Sequence, residues 1–233
     1  MTAYPEFAAD LTGFKGVVPI FPLPNFVLFP YVALPLRVFE DRYRRMVEDA
    51  LAQERLIAMA LLRPGWETSD DPAPAIHEMV CLGRITAEER CPSGEYNIVV
   101  TGIHRGVVVA EPPTDLSYRL GKLELYRDFY AAQPLVNRDV RHHELLINFR
   151  QLFPKSRADS LFSQVLEADM PLGVICDLLA AALKIGLAEK QMLLEELDVD
   201  LRSDLLLERL RELAPACSLE RAVRRFPPSF SVN

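Results

Sequence analysis

The chain has 233 residues, enough for one large domain or two small ones with a sizeable core. Half of the residues are apolar and a quarter are charged, an ordinary globular balance, and a formal net charge of −7 argues against a broad electrostatic footprint for nucleic acid. No apolar run nears the ~20 residues that span a bilayer, no basic and apolar leader opens the chain, and Cys81, Cys91, Cys176 and Cys217 lie too far apart for a disulfide scaffold, which together predict a cytoplasmic protein with reduced core thiols and no membrane partner.

Residues 1–16 read as a loose arm. Val17 to Leu51 then places Pro19, Pro22, Pro24, Pro30 and Pro35 among aromatic and β-branched residues before turning into a helical pattern. Proline cannot donate to a sheet ladder, so each proline is expected to stop pairing at an edge or corner, and a central strand is not expected here. Residues 24–30 read as a loop or edge segment and 32–39 as a short strand with its proline at the margin. Val17, Ile20, Phe21, Phe26, Val27, Leu28 and Phe29 would supply core or rim contacts. In the helix that follows, Phe39, Tyr43, Met46, Val47, Ala50 and Leu51 recur at steps of three and four, with charged residues on the other face.

Residues 56–62, "LIAMALL", read as a buried strand, and the proline-rich and acidic 63–76 as a long surface loop. Residues 77–90 and 96–104 read as strands joined by the turn "CPSGE". Two more strands are expected at 107–111 and 118–126. The texture changes near Gln133. Helices are expected at 138–153, at 169–186 with Asp169 as cap and Leu172, Ile175, Cys176, Leu179 and Leu183 buried, at 187–197, and from 198 with Asp200 as cap and Leu201, Leu205 and Leu210 inward. The residues after Pro215 read as a poorly ordered tail.

Three stretches in this order resemble one family. "VPIFPLPNFVLFPYVALPLRVFEDRY" resembles the opening of the Lon protease N-terminal, substrate-recognition domain. "CLGRITAEERCPSGEYNIVVTGIHRGVVV" is similar to its glycine-bearing hairpin, with Gly83, Gly94, Gly102 and Arg105 at the matching positions, and "MPLGVICDLLAAALKIGLAEKQMLLEELDVDLRSDLLLERL" resembles its helices. The resemblance covers about Val17 to Leu213. It implies an α+β fold: a PUA-like β pseudo-barrel with one packed helix, followed by an α-helical bundle. The implied boundaries are an arm at 1–16, the barrel at 17–132, the bundle at 133–214 and a flexible tail at 215–233.

The chemistry of full-length Lon needs a G-x-x-x-x-G-K-[ST] phosphate loop and a Ser-Lys protease module. Neither is expected in this chain, which by the resemblance ends where the ATPase would begin, so no enzyme activity and no cofactor is expected. A peptidase label would transfer from Lon by name alone. No metal site is expected. His142, His143 and Glu144 are neighbours in sequence and would diverge on a helix, while Cys81 and Cys91 flank a hairpin, where they could face each other but lack further ligands. Arg42, Arg44 and Arg45 share their helix with Asp41, Glu48 and Asp49, which favours a solvated face over a nucleic-acid patch.

The resemblance implies a protein- or peptide-binding module for unfolded chains or a specific protein partner. Nucleic-acid binding by a PUA-like barrel is the alternative, on fold analogy alone. Phe29, Tyr31 and Trp66 are the candidate contact residues, each either packed on the barrel or a recognition anchor. The expected surface is the loop around Trp66 together with a groove where barrel and bundle dock.

Overall fold

The computed structural model describes residues 11, 14–68, 71–152 and 170–224, with side chains as far as residue 213. The chain divides into two compact units, 1–129 with 177–197 and 130–176 with 198–233. This grouping differs from the expected 17–132 and 133–214 in placing 177–197 with the sheet. Asp169 and the stretch 153–169 lie outside the described residues.

The first unit carries a mixed sheet of β1 (Val17–Leu23), β2 (Ala33–Val38), β3 (Leu56–Leu61), β4 (Met79–Arg90), β5 (Tyr96–Ala110) and β6 (Leu120–Tyr126), with helix α1 (Asp41–Leu51). The order is β2-β5-β4-β3-β1-β6, and β6 also pairs with the far half of β5. The sheet therefore curls round as a pseudo-barrel, with β2 projecting from the near half of β5, and it is not a closed up-and-down barrel. Only β1 and β3 run parallel. Every residue of β3 is buried, which its continuous apolar run anticipates. Val18, Ile20, Leu56, Ala58, Val80, Leu82 and Leu123 meet in the core.

The proline-bearing β1 lies inside the sheet, against expectation. It is staggered between its neighbours: residues 17–19 pair with β6 and 20–23 with β3. Ile20 donates its N–H to the Arg119 carbonyl at 2.9 Å on the β6 side, and the Leu23 carbonyl accepts from Leu62 N–H at 3.0 Å on the β3 side. Main-chain groups alternate along a strand, so position 19 faces β3 before that ladder starts and position 22 faces the β6 side after that ladder has ended. Neither Pro19 nor Pro22 removes a donor that a neighbour needs.

Strand β5 is continuous where two strands were expected. Gly102 lets the chain of 29–32 press against it: a Cβ there would stand 2.1 Å from the Phe29 carbonyl oxygen. The Gly102 N–H donates to the Val32 carbonyl at 2.9 Å, and the Gly102 carbonyl accepts from the Tyr31 N–H at 2.8 Å. Helix α1 buries Tyr43, Met46, Val47 and Ala50 as its period requires. Phe39, expected on that stripe, precedes the helix and is 62% exposed.

Helices α2 (Arg138–Leu152), α3 (Leu172–Ala182), α4 (Leu187–Glu195) and α5 (Val199–Arg224) follow. The α3 stripe Leu172, Ile175, Cys176, Leu179 and Leu183 is buried, and Pro171 precedes the first turn. In the first unit α4 packs on β4, where the buried Gln191 donates to the Met79 carbonyl at 2.9 Å. In the second unit α2 packs on α5, with Leu145, Phe149, Leu206, Leu207 and Leu210 buried.

Asp198, not Asp200, caps α5: its Oδ1 accepts the Asp200 N–H at 2.9 Å. Asp200 instead accepts from Arg138 at 2.7 and 2.9 Å; the inward face carries Leu206, Leu207 and Leu210, while Leu201 is exposed and Leu205 half-buried. Of the tail expected at 215–233, residues 215–224 continue α5 as helical backbone and 225–233 lie outside the described residues.

Candidate functional site

A groove of ≈ 900 Å³ opens on the first unit. Its walls are Ile20 to Leu23 of β1 with Pro24, the end of β2 with the start of α1, Trp66 and Glu67, Asp71 to Pro74, and residues between Glu111 and Leu120. Each wall has a local cause. The turn Trp66–Thr68 is held by the Thr68 hydroxyl and N–H on the Gly65 carbonyl, and Gly65 supplies the φ of +94° that turns the chain there. Arg119 ties two walls together, donating to Glu111 at 2.7 and 2.5 Å and to the Pro74 carbonyl at 2.7 Å.

Aromatic rings line the groove. Phe21 and Tyr43 pack with centroids 4.6 Å apart, and the Arg42 guanidinium lies 4.5 Å above the Tyr43 ring. The Tyr118 hydroxyl donates to Asp49 at 2.9 Å; burial, reinforced by that bond, pushes its pKa up to about 12. Burial also raises Tyr43. Phe39, 62% exposed, and half-buried Trp66 both line the groove.

The three sequence candidates are not brought together. Trp66 lines the groove. Phe29 is wholly buried, its carbonyl against Gly102, so its ring cannot meet a partner directly. Tyr31 is 36% exposed at φ +67°, held by its N–H on the Gly102 carbonyl, and does not line the groove. Sequence reasoning missed Phe39, because its spacing to Tyr43 mimics a helical stripe. The signal that separates them is the "FED" step: Glu40 adopts extended backbone and the helix starts only at Asp41.

The basic cluster is neutralised on its own chain: Arg42 bonds Glu40, Arg44 bonds Asp41 and Arg45 bonds Asp49, each at 3.0 Å. His143 Nδ1 stands 2.7 Å from the Asp139 carbonyl, and among the described residues no three metal-ligating side chains converge. Cys81 and Cys91 do not face each other. Cys81 lies near the start of β4 and Cys91 one residue past its end, ten residues and hence roughly 30 Å on, with Cys81 opposite Arg105 and Cys91 accepting from Asn97 at 3.4 Å. No helix among the described residues is long and apolar enough to cross a membrane.

Residues 17–212 match the family model described as the ATP-dependent protease La (LON) substrate-binding domain. The Lon protease of Anaeromyxobacter dehalogenans is 28% identical over 202 residues, covering 84% of this chain and 23% of that protein. The Lon protease of Roseiflexus castenholzii is 30% identical over 213 residues, covering 89% and 24%. The chain thus spans about a quarter of the length of the curated relatives it matches. In fold it is similar to a Lon N-terminal domain protein from Xanthomonas campestris (TM-score 0.61, 22% identity, 82% of this chain and 97% of that one). The N-terminal domain of a Mycobacterium avium complex Lon protease is likewise similar (TM-score 0.66, 17% identity, 84% and 98%).

Proposed function

The chain belongs to the LON substrate-binding domain family, and on that premise we propose that it is a non-catalytic, cytoplasmic recognition module that holds exposed apolar segments of other proteins in the groove of its first unit. One observation carries the reading: a groove of ≈ 900 Å³ walled by proline and aromatic side chains, with Phe39 62% exposed at its rim. A rim phenylalanine left in water loses the burial that a guest side chain would restore, and exposed aromatics concentrate binding energy. Within these 233 residues neither the Walker phosphate loop nor a G-x-S-x-G elbow occurs, so binding without turnover is the chemistry that the residues support. The acidic balance and the self-paired arginines favour protein over nucleic acid as partner.

A peptide array drawn from unfolded proteins, probed with the purified chain, tests the reading. Phe39→Asp and Trp66→Asp should each weaken guest binding by about tenfold or more while the melting temperature stays near that of the parent. Binding at background level, or unchanged by both substitutions, would refute it. The purified chain should hydrolyse no ATP and degrade no casein.

A further inference from the structure

The walls of the groove limit how a guest can be held. On the side where β6 leaves off, β1 turns position 22 toward the groove, and that residue is a proline; the next residue beyond the strand, Pro24, lacks a donor too. The β1 wall therefore offers the Pro22 carbonyl but no alternating donors, and a ladder needs both. The free edge of the sheet is interrupted as well: of its outward positions Ala33, Pro35 and Arg37, the middle one has no donor. Gly102 donates to the Val32 carbonyl at 2.9 Å, which sets even-numbered positions of β2 toward β5 and Pro35 outward.

The charges of the groove point the same way as its rings. Each of its three arginines is already held by a carboxylate of this chain: Arg42 by Glu40, Arg119 by Glu111 and Arg37 by Glu95. Glu95 lies outside the lining, where Glu67 adds a further carboxylate beside Trp66 and Asp71 accepts the Ala73 N–H at 2.8 Å. The surplus charge is negative and sits on the Trp66 lip, within reach of a guest cation that can also lie against an indole face.

Resting on the reading of this groove as a protein-binding site, we propose that its guest is a segment with large apolar or aromatic side chains flanked by Lys or Arg, gripped through its side chains and not by adding a strand to the sheet. Recognition then depends on the guest's sequence, and a guest need not be extended.

Four labelled synthetic peptides sharing one Phe- and Leu-rich core test this by fluorescence anisotropy with the full chain: Lys-flanked, Glu-flanked, uncharged, and Lys-flanked with alternate core amides N-methylated. The Lys-flanked peptide should bind about five- to tenfold more tightly than the Glu-flanked one at low salt, and the gap should close as salt rises. N-methylation should change affinity by less than about twofold, because no ladder is lost. Glu67→Lys should narrow or invert the charge preference.

Equal affinity for Lys and Glu flanks overturns the charge assignment, and loss of binding on N-methylation overturns the side-chain mode. In both cases the uncharged peptide still binds and the groove reading stands. Binding of none of the four, or binding that survives Phe39→Asp, overturns the groove reading itself. Self-association of the chain that Phe39→Asp abolishes would assign the groove to a second copy and overturn the proposal.

Discussion

Arg105 on β5 and Asp177 on α3 form a buried two-pronged ion pair: Nη1 and Nη2 of the arginine donate to the two carboxylate oxygens at 2.9 and 2.5 Å. Arg105 is 3% exposed and Asp177 is fully buried. The same guanidinium donates to the Leu194 carbonyl at 2.9 Å and to Asp128 at 3.2 Å. A single side chain thus ties the sheet to residues of α3 and α4 and to the segment after β6. Burying two charges is costly, and the fork geometry with its additional acceptors offsets that cost.

Removing one partner leaves the other charge stranded. Asp177→Ala should destabilise the chain by about 3–5 kcal/mol in urea unfolding. Arg105→Lys keeps the charge but loses the fork and should still cost about 2 kcal/mol. Replacing both by apolar residues of similar size should recover most of the loss. An Asp177→Ala variant as stable as the parent would contradict the structure.

Gly102 has no room for a methyl group: a Cβ there would lie 2.1 Å from the Phe29 oxygen, 2.8 Å from the Phe29 carbonyl carbon and 2.9 Å from Cys81 Sγ. Gly102→Ala should cost about 3 kcal/mol or more, because backbone must move. Gly65, at φ +94° with open space around it, should cost only about 1 kcal/mol on change to Ala. Thermal unfolding of the two variants side by side reads the difference.

Alkaline pH should destabilise the first unit. Burial pushes the Cys81 thiol up to about 12, and burial with the Asp49 bond pushes the Tyr118 phenol to about 12. Both groups therefore keep their protons in the folded chain at a pH where the unfolded chain releases them. Their contribution is fully present below about pH 9 and is lost as pH rises towards 12. Tyr118→Phe should flatten this fall and cost about 1 kcal/mol at neutral pH through the lost bond to Asp49. In thiol titration of the folded chain Cys91, half-buried, should react well before Cys81.

Restoring donors at the blocked edges should make them adhesive. A Pro22→Val, Pro35→Val double variant regains an outward N–H at each position and should self-associate at concentrations where the parent does not, as read by light scattering. A variant that scatters like the parent would show that these prolines do not guard the edges.

The sequence by itself determined what depends on near neighbours. The stripe Tyr43, Met46, Val47 and Ala50 specified α1, the unbroken run Leu56–Leu61 specified a buried strand, and the stripe from Leu172 to Leu183 specified α3. The ordered motifs that resemble Lon identified the family without coordinates, and Trp66 stood out as a contact candidate because a lone tryptophan lies in a long loop, whereas the groove was expected between barrel and bundle.

Tertiary structure decided whatever depended on a distant partner. Phe39 left the α1 stripe because Glu40 is extended, and the cap fell to Asp198 because the helix begins at Val199, which leaves the Asp200 carboxylate to Arg138, 62 residues away. β1 entered the sheet despite its prolines because its two ladders are staggered, a register that no local pattern encodes. Arg105 found Asp177 across 72 residues. Periodicity reports which face of an element is apolar, whereas register and charge pairing follow from which surface that face meets.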